Sequence, residues 1–297
     1  MSTVDRLQVR KAWRFGARHP MLPPVRATVV IPTYQEAANI AALLRRVRIA
    51  APAVHVLVVD DGSPDGTADL AEAVGAEVGH VQVLRRPGKQ GLASAYQAGF
   101  AHAIDDGAEI VITMDADHSH DPIVIPMLVE AAEQGADLVI GSRYIPGGQI
   151  VDWTASWRAL SLWGNRYATS ALSLPIHDAT SGYRAYRADV VNVDDLSRVR
   201  ASGYGFLIEM AYRLARGGRK LVEIPITFAD RKHGTSKISS HTVVEAFVLV
   251  TLWGVRDLIS ERHARRQVEP DRRRLATGLI DSALPVVRPE KFRRHPG

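Results

Sequence analysis

The chain has 297 residues, 46% of them hydrophobic, and a formal net charge of +5 at pH 7. That is enough for one large core or two small ones, and the absence of cysteine excludes disulfides, zinc–thiolate centres and thiol nucleophiles. The positive charge lies in the tails: residues 1–26 and 261–297 contribute +5 each, leaving about −5 on residues 27–260, so any attraction to an anionic membrane surface or a nucleic acid belongs to the ends.

In chain order, residues 1–26 form a basic leader in which Pro20, Pro23 and Pro24 stop any helix. No apolar stretch of signal-peptide length follows its charges. Ala27–Ile31 reads as a strand ending at Pro32-Thr33-Tyr34-Gln35-Glu36, and Ile40, Leu43, Leu44 and Val47 then recur at helical spacing. Val54–Val59 is nearly all apolar, as a strand covered on both faces should be. It runs into Asp60-Asp61-Gly62-Ser63-Pro64-Asp65-Gly66-Thr67, a cluster of turn formers with Thr67 placed to cap the next helix. Val81–Leu84 predicts a third strand, followed by Arg85 to Gly91 and a helix through Ala103; Ile110–Met114 predicts a fourth strand. Pro122 to Gln134 reads as helix and Ala136–Ile140 as strand, ending at Gly141-Ser142-Arg143-Tyr144. Alternation of this kind predicts an α/β fold, a mostly parallel sheet with helices on both faces. Ligands of such sheets bind beyond the carboxyl ends of the strands, where the polar clusters at 34–36, 60–61, 115–117 and 143 all fall.

Beyond Gly148 the character changes. Trp153, Trp157, Trp163 and Tyr167 alternate with Arg158 and Arg166, a composition suited to a buried core or to a membrane interface. Asp178 to Arg184 opens another short strand, Gly205–Leu214 reads as helix and Leu221–Phe228 as strand. A basic loop, Arg231-Lys232-His233-Gly234-Thr235-Ser236-Lys237, precedes a helix over 241–260. Arg forks and a Lys point charge are suited to holding phosphate. The longest apolar run, Ala246–Val255, is about half the ~20 residues of a bilayer span, so the chain is expected not to cross a membrane by itself.

The focus of the pattern is Val111-Ile112-Thr113-Met114-Asp115-Ala116-Asp117. In an extended segment Asp115 and Asp117 would share a face, and two carboxylates that close call for a cation between them. Hard Mg²⁺ or Mn²⁺, completed by substrate phosphates, meets that need.

Together these stretches resemble the GT-A-fold glycosyltransferases of family two, and within them the polyprenol-phosphate (dolichol-phosphate) mannose synthases. The resemblance rests on Pro32 to Glu36, Val58 to Thr67, Met114 to Asp117, Ser119-His120-Asp121-Pro122, Gly141 to Tyr144, Ser181-Gly182-Tyr183-Arg184 and Arg231 to Lys237, in order over roughly 27–260. It implies a GT-A domain over 27–260, with a nucleotide-binding half about 27–142, an acceptor and membrane-interface half about 143–260, amphipathic interface helices and a basic tail over 261–297. It further implies that Pro32, Tyr34, Glu36 and Asp60 hold the nucleotide, with Val59 and Asp61 beside them. Asp115, Ala116 and Asp117 would contact donor and metal. Arg143, Arg158, Arg231 and Lys237 would receive the donor and acceptor phosphates, and Asp117, Arg143, Arg231 and Lys237 would carry the catalysis. Some relatives place a metal-binding Gln two residues past the second Asp; here Ser119 stands there, a weaker ligand.

The implied reaction moves mannose from GDP-mannose to a polyprenyl phosphate with inversion, on the cytoplasmic face of a membrane to which the protein binds peripherally. A membrane-anchoring partner protein is compatible with that arrangement. The alternatives are transfer of another sugar, such as glucose from UDP-glucose, and a non-catalytic nucleotide-binding membrane scaffold. A processive polysaccharide synthase would carry a Gln-x-x-Arg-Trp motif and membrane helices, and neither is present. A nucleic-acid partner is not expected, since the tails lack aromatics interleaved with Lys and Arg along a groove.

Overall fold

The computed structural model describes residues 26–191, 199, 201, 203–230 and 244–259. Both tails and the basic loop with Arg231 and Lys237 lie outside the described residues.

The strands are β1 (Ala27–Thr33), β2 (His55–Asp60), β3 (Val81–Arg85), β4 (Ile110–Thr113), β5 (Leu138–Ser142), β6 (Gln149–Ile150), β7 (Arg184–Arg187), β8 (Leu221–Pro225) and β9 (Thr227–Phe228). The α-helices are α1 (Ala37–Ala50), α2 (Thr67–Val78), α3 (Leu92–Asp105), α4 (Ile125–Glu133), α5 (Ala155–Ala171) and α6 (Gly203–Arg216); residues 244–259 are helical as well and are called α7. Seven strands form one sheet in the order β3-β2-β1-β4-β7-β5-β8, while β6 and β9 make a separate parallel ribbon. Every pairing in the main sheet is parallel except those of β7, which runs antiparallel to both β4 and β5. The expected mostly parallel sheet is therefore present, with one reversed strand inserted in its middle.

Alternation along the strands builds two apolar layers. Val29, Ile31, Val56, Val58, Ile110 and Ile112 face α1, α2 and α4 through Leu43, Leu44, Val74 and Leu128. Val30, Leu57, Val59, Val111, Leu138 and Ile140 face α3 and α6 through Tyr96, Phe100, Phe206 and Met210. Packing on this second side is close enough that α3 needs glycine: a Cβ on Gly99 would stand 2.4 Å from Val30 Cγ1.

Three local expectations differ from what is observed. The residue preceding α2 is Gly66, in the left-handed region, and no side chain caps that helix. Thr67 is its first residue, and its hydroxyl instead bonds Asp65 (2.6 Å) and receives the Glu36 N–H (2.9 Å). The run from Leu221 to Phe228 is not one strand, because the chain leaves the sheet after Pro225 and enters the ribbon at Thr227. The stretch from Asp178 is loop until β7 begins at Arg184.

The connection after β1 runs toward β2, and that after β4 runs the other way toward β5. A crevice opens where such connections diverge, at the carboxyl ends of adjacent parallel strands.

Candidate active site

Beyond β1 and β2 the chain builds a polar rim from side chains that fix one another. Thr33 Oγ1 donates to Asp60 Oδ1 at 2.8 Å, and Asp60 also accepts Ser63 Oγ at 2.6 Å and Ser63 N at 2.9 Å. Ser63 Oγ in turn accepts the backbone N–H of Gln35 at 2.9 Å, in a residue held at φ 56°. Asp65 ties this turn to α1 by accepting from Ala37 N and Thr67 N. Burial pushes its carboxyl upward, but hydrogen bonds from Thr67 and Ala37 outweigh that and hold it below the usual carboxylate range. Gly62, at φ +68°, lies where a Cβ would come within 3.0 Å of Gly88 Cα, so the turns after β2 and β3 touch backbone to backbone.

Asp61 is turned toward the neighbouring loop. Its Oδ2 accepts Gln90 N (2.9 Å) and Gly91 N (3.2 Å), and its Oδ1 lies 2.7 Å from Arg86 Nη1. That last approach is a charge contact without hydrogen-bond alignment. Lys89, on the same loop, lies over the Tyr34 ring with Nζ 4.6 Å from the centroid. Tyr34, Glu36, Asp60 and Asp61 are thus brought to one rim, with Pro32 and Val59 in the registered ends of β1 and β2 beneath them.

The acid motif lies outside strand geometry: β4 ends at Thr113 and Asp117 sits in a bend. The placement of the two acids therefore comes from local bonding rather than from strand alternation. Asp117 is 9% exposed and accepts Ser119 N at 3.1 Å. His118, at φ 66°, turns the chain between them. Asp115 N donates to His120 Nδ1 at 3.1 Å, which places the ring proton on Nε2, 3.9 Å from Asp115 Oδ2. Burial holds the His120 pKa below its ordinary value, although both Asp115 and Asp117 act to raise it. On the far side the Tyr96 hydroxyl lies 3.4 Å from Asp115 Oδ1. Burial and the Asp115 charge push that phenol well up, so it remains a donor.

Ser119 is 2% exposed and its Oγ has no hydrogen-bond partner. A buried hydroxyl left unmatched beside two carboxylates is a donor set that fits a hard divalent cation. Among the described residues no group of three or more His, Asp or Glu side chains is placed to hold a metal. Asp115, Asp117 and Ser119 would therefore need ligand oxygens to complete its shell.

Arg143, at the end of β5, is buried (6% exposed). Its Nε and Nη2 each bond an Asp178 oxygen at 2.7 Å, and Nη2 also donates to Thr180 Oγ1 at 2.8 Å. Asp178 is completely buried; burial raises its pKa, but the Arg143 guanidinium more than offsets this and holds the carboxyl low. The rings of Tyr144 and Phe228 each lie 5.3 Å from Arg143 Cζ. Arg184 is also buried and directs its guanidinium to the carbonyls of Ser181, Ala179 and Leu207, fixing the loop whose Gly182 borders Asp115.

Arg158 stands on exposed α5 and donates to Ile150 O at 3.1 Å. On the same helix Trp157 and Trp163 are exposed, whereas Trp153 packs edge-on against Phe228 at 5.6 Å. Trp163, Tyr167 and Phe247 form a mutually contacting trio of near-parallel rings that joins α5 to α7. No helix among the described residues is long and apolar enough to cross a membrane.

Asp178, Arg86, Tyr96 and Phe228 were not singled out from the sequence. Asp178 carried a faint signal, lying three residues ahead of Ser181-Gly182-Tyr183-Arg184; the others look like ordinary surface or core residues until the fold brings them in.

The pattern of the family described as Glycosyl transferase family 2 matches residues 28–193. The undecaprenyl-phosphate mannosyltransferase of Micrococcus luteus is 47% identical over 231 residues, 78% of this chain and 95% of that protein. The polyprenol monophosphomannose synthase of Mycolicibacterium smegmatis is 45% identical over 235 residues, 79% of this chain and 89% of that one. Among solved structures, glucosyl-3-phosphoglycerate synthase from Mycobacterium tuberculosis in complex with Mn²⁺ and UDP-glucose has a TM-score of 0.55 at 19% identity, covering 85% of this chain and 82% of that one. That last likeness concerns the fold.

Proposed function

The chain belongs to glycosyl transferase family 2, and from that premise we propose that it transfers mannose from GDP-mannose to a polyprenyl phosphate with inversion at the sugar. The observation that carries this reading is the 47% identity maintained over 95% of an undecaprenyl-phosphate mannosyltransferase. The geometry agrees with it, because acids and cations meet at the carboxyl ends of one set of strands.

In this reading Pro32, Tyr34, Glu36, Val59, Asp60 and Ala116 receive the nucleotide of the donor. Asp61 acts beside them by holding the Arg86–Gly91 loop, as its hydrogen bonds to Gln90 N and Gly91 N require. Asp115, Asp117 and Ser119 would hold Mg²⁺ or Mn²⁺, which would supply positive charge opposite the departing diphosphate. Arg143, Arg231 and Lys237 bring the acceptor phosphate and donor diphosphate together against their mutual repulsion, and Arg158 extends that basic surface outward. The second pKa of a phosphate monoester is about 6, so the acceptor oxygen arrives as an anion and needs no strong base. Its lone pair forms the bond to the anomeric carbon as the bond to the diphosphate oxygen breaks, and GDP leaves with that electron pair. His120, held neutral by burial, serves to fix Asp115 rather than to move a proton.

The acceptor's long tail stays in its bilayer, so the site must work at a membrane surface. Support comes from α5 and α7, where Trp157 (62% exposed), Leu252 (60%) and Val244 (61%) present apolar side chains outward. Basic tails would add about 1 kcal/mol for each Lys or Arg that reaches an anionic surface. Peripheral binding on the cytoplasmic face follows, with or without an anchoring partner protein.

The test is incubation of the protein with labelled GDP-mannose or UDP-glucose, Mg²⁺ or Mn²⁺, and a short polyprenyl phosphate. Label from GDP-mannose should enter the organic phase. Label only from UDP-glucose would replace the donor, and none from either would leave the scaffold reading.

A further inference from the structure

Phe228 occupies an unusual place. It is half-buried, yet it belongs to neither of the two apolar layers that flank the sheet. Its ring contacts are with polar and aromatic groups of the site itself. The Arg143 Cζ lies 5.3 Å from its centroid, the His120 ring 5.7 Å away at 70°, and the Trp153 indole 5.6 Å away at 77°. The backbone repeats the connection, since Ala229 N donates to Ser119 O at 3.3 Å and Val151 N to Phe228 O at 2.9 Å. One short ribbon strand therefore touches the acid motif on one side and the buried arginine on the other.

Each of those groups is fixed elsewhere in a different element. His120 stacks on Tyr183 at 4.7 Å and accepts from Asp115 N. Arg143 is locked to Asp178. The loop from Asp178 to Arg184 links the acid motif and the arginine through β7, and the Phe228 ring adds a direct spacer by standing against both His120 and Arg143. A flat aromatic face suits this task, because it attracts the guanidinium and accepts the imidazole edge without competing for their hydrogen bonds.

We propose that Phe228 is a positioning residue that fixes the separation between the Asp115–Ser119 motif and Arg143, and with it the alignment of donor diphosphate and acceptor phosphate. The inference rests on the transferase reading for its consequence but not for its geometry. A substitution that removes the face should disturb both the metal-binding acids and turnover while leaving the apolar layers intact.

Phe228→Leu and Phe228→Tyr, compared with wild type, test this in the full chain. Three quantities are measured: steady-state transfer with donor and acceptor varied separately, Mn²⁺ affinity in the presence of GDP by calorimetry, and the thermal midpoint. Removing a ring–guanidinium contact should lower kcat roughly five- to thirtyfold in the Leu variant, with donor KM changed about twofold or less, Mn²⁺ affinity lowered several-fold and the midpoint shifted by only a few degrees. Phe228→Tyr should recover kcat and Mn²⁺ affinity to within about twofold of wild type. A Leu variant with wild-type kcat and Mn²⁺ affinity overturns the proposal, and so does a Tyr variant as impaired as Leu. If wild type transfers no mannose at all, the transferase reading fails, while the Mn²⁺ comparison between the variants still decides the role of Phe228.

Discussion

Arg143 and Asp178 form a buried two-pronged pair, with both N–O distances 2.7 Å and the backbone N–H of Arg143 adding a third bond at 3.0 Å. The pair joins the end of β5 to the loop before β7, so the cation assigned to phosphate is also a structural tie. Removing one partner strands a buried charge, which typically costs about 3–5 kcal/mol. Asp178→Asn should therefore lower unfolding free energy by an amount of that order in urea titrations, and should reduce transfer as well. The pH dependence has a definite sign. Because the folded Asp178 carboxyl titrates below its ordinary value, its contribution is present above about pH 4 and is lost as pH falls through the lower folded value. The stability difference between wild type and Asp178→Asn should accordingly shrink on acidification below about pH 4.

Asp115→Asn and Asp117→Asn keep side-chain shape but remove the charge that a hard cation needs. Each should lower turnover by about two orders of magnitude or more under saturating Mn²⁺, with thermal midpoints near wild type. Ser119→Ala should raise the Mn²⁺ concentration for half-maximal activity by roughly tenfold, because its hydroxyl, which has no hydrogen-bond partner, would serve as the third oxygen of the proposed site. Near-normal activity of either Asn variant would remove the metal from the acid motif.

Lys237 enters through the sequence alone. If it serves the acceptor phosphate, Lys237→Ala should raise acceptor KM or lower kcat about tenfold or more, while GDP affinity by calorimetry changes about twofold or less. Equal losses in both would reassign it to the donor.

The outward apolar groups of α5 and α7 lend themselves to a test that spares the core. Trp157→Ala with Leu252→Ala changes two side chains that are 62% and 60% exposed, so folding should be preserved. Wild type should co-float with vesicles containing anionic lipid and dissociate as salt rises. The double variant should bind several-fold more weakly, and equal binding would place the membrane contact elsewhere.

Much of this protein was legible in its sequence because the relevant signals are local. The apolar runs of β1, β2 and β4 announce strands covered on both sides, and the polar clusters at their ends mark a rim whatever the details of packing. The residues of that rim, from Tyr34 to Asp117, could be named from order and spacing. Tertiary structure decided what each rim residue is bonded to. The antiparallel insertion of β7 depends on pairings across residues more than forty apart in sequence, such as Val139 with Ala185 and Ile112 with Ala185. It is this insertion that carries Asp178 to Arg143 and Gly182 to Asp115. Asp61 and Arg86 likewise meet only because β2 and β3 lie side by side. Phe228 has no local mark at all, because one ring satisfies the same short-range pattern in a core or in a site. Periodicity reports which face a residue occupies; only the closed fold sets which charges, rings and unpaired oxygens stand opposite it, and those contacts fix the chemistry.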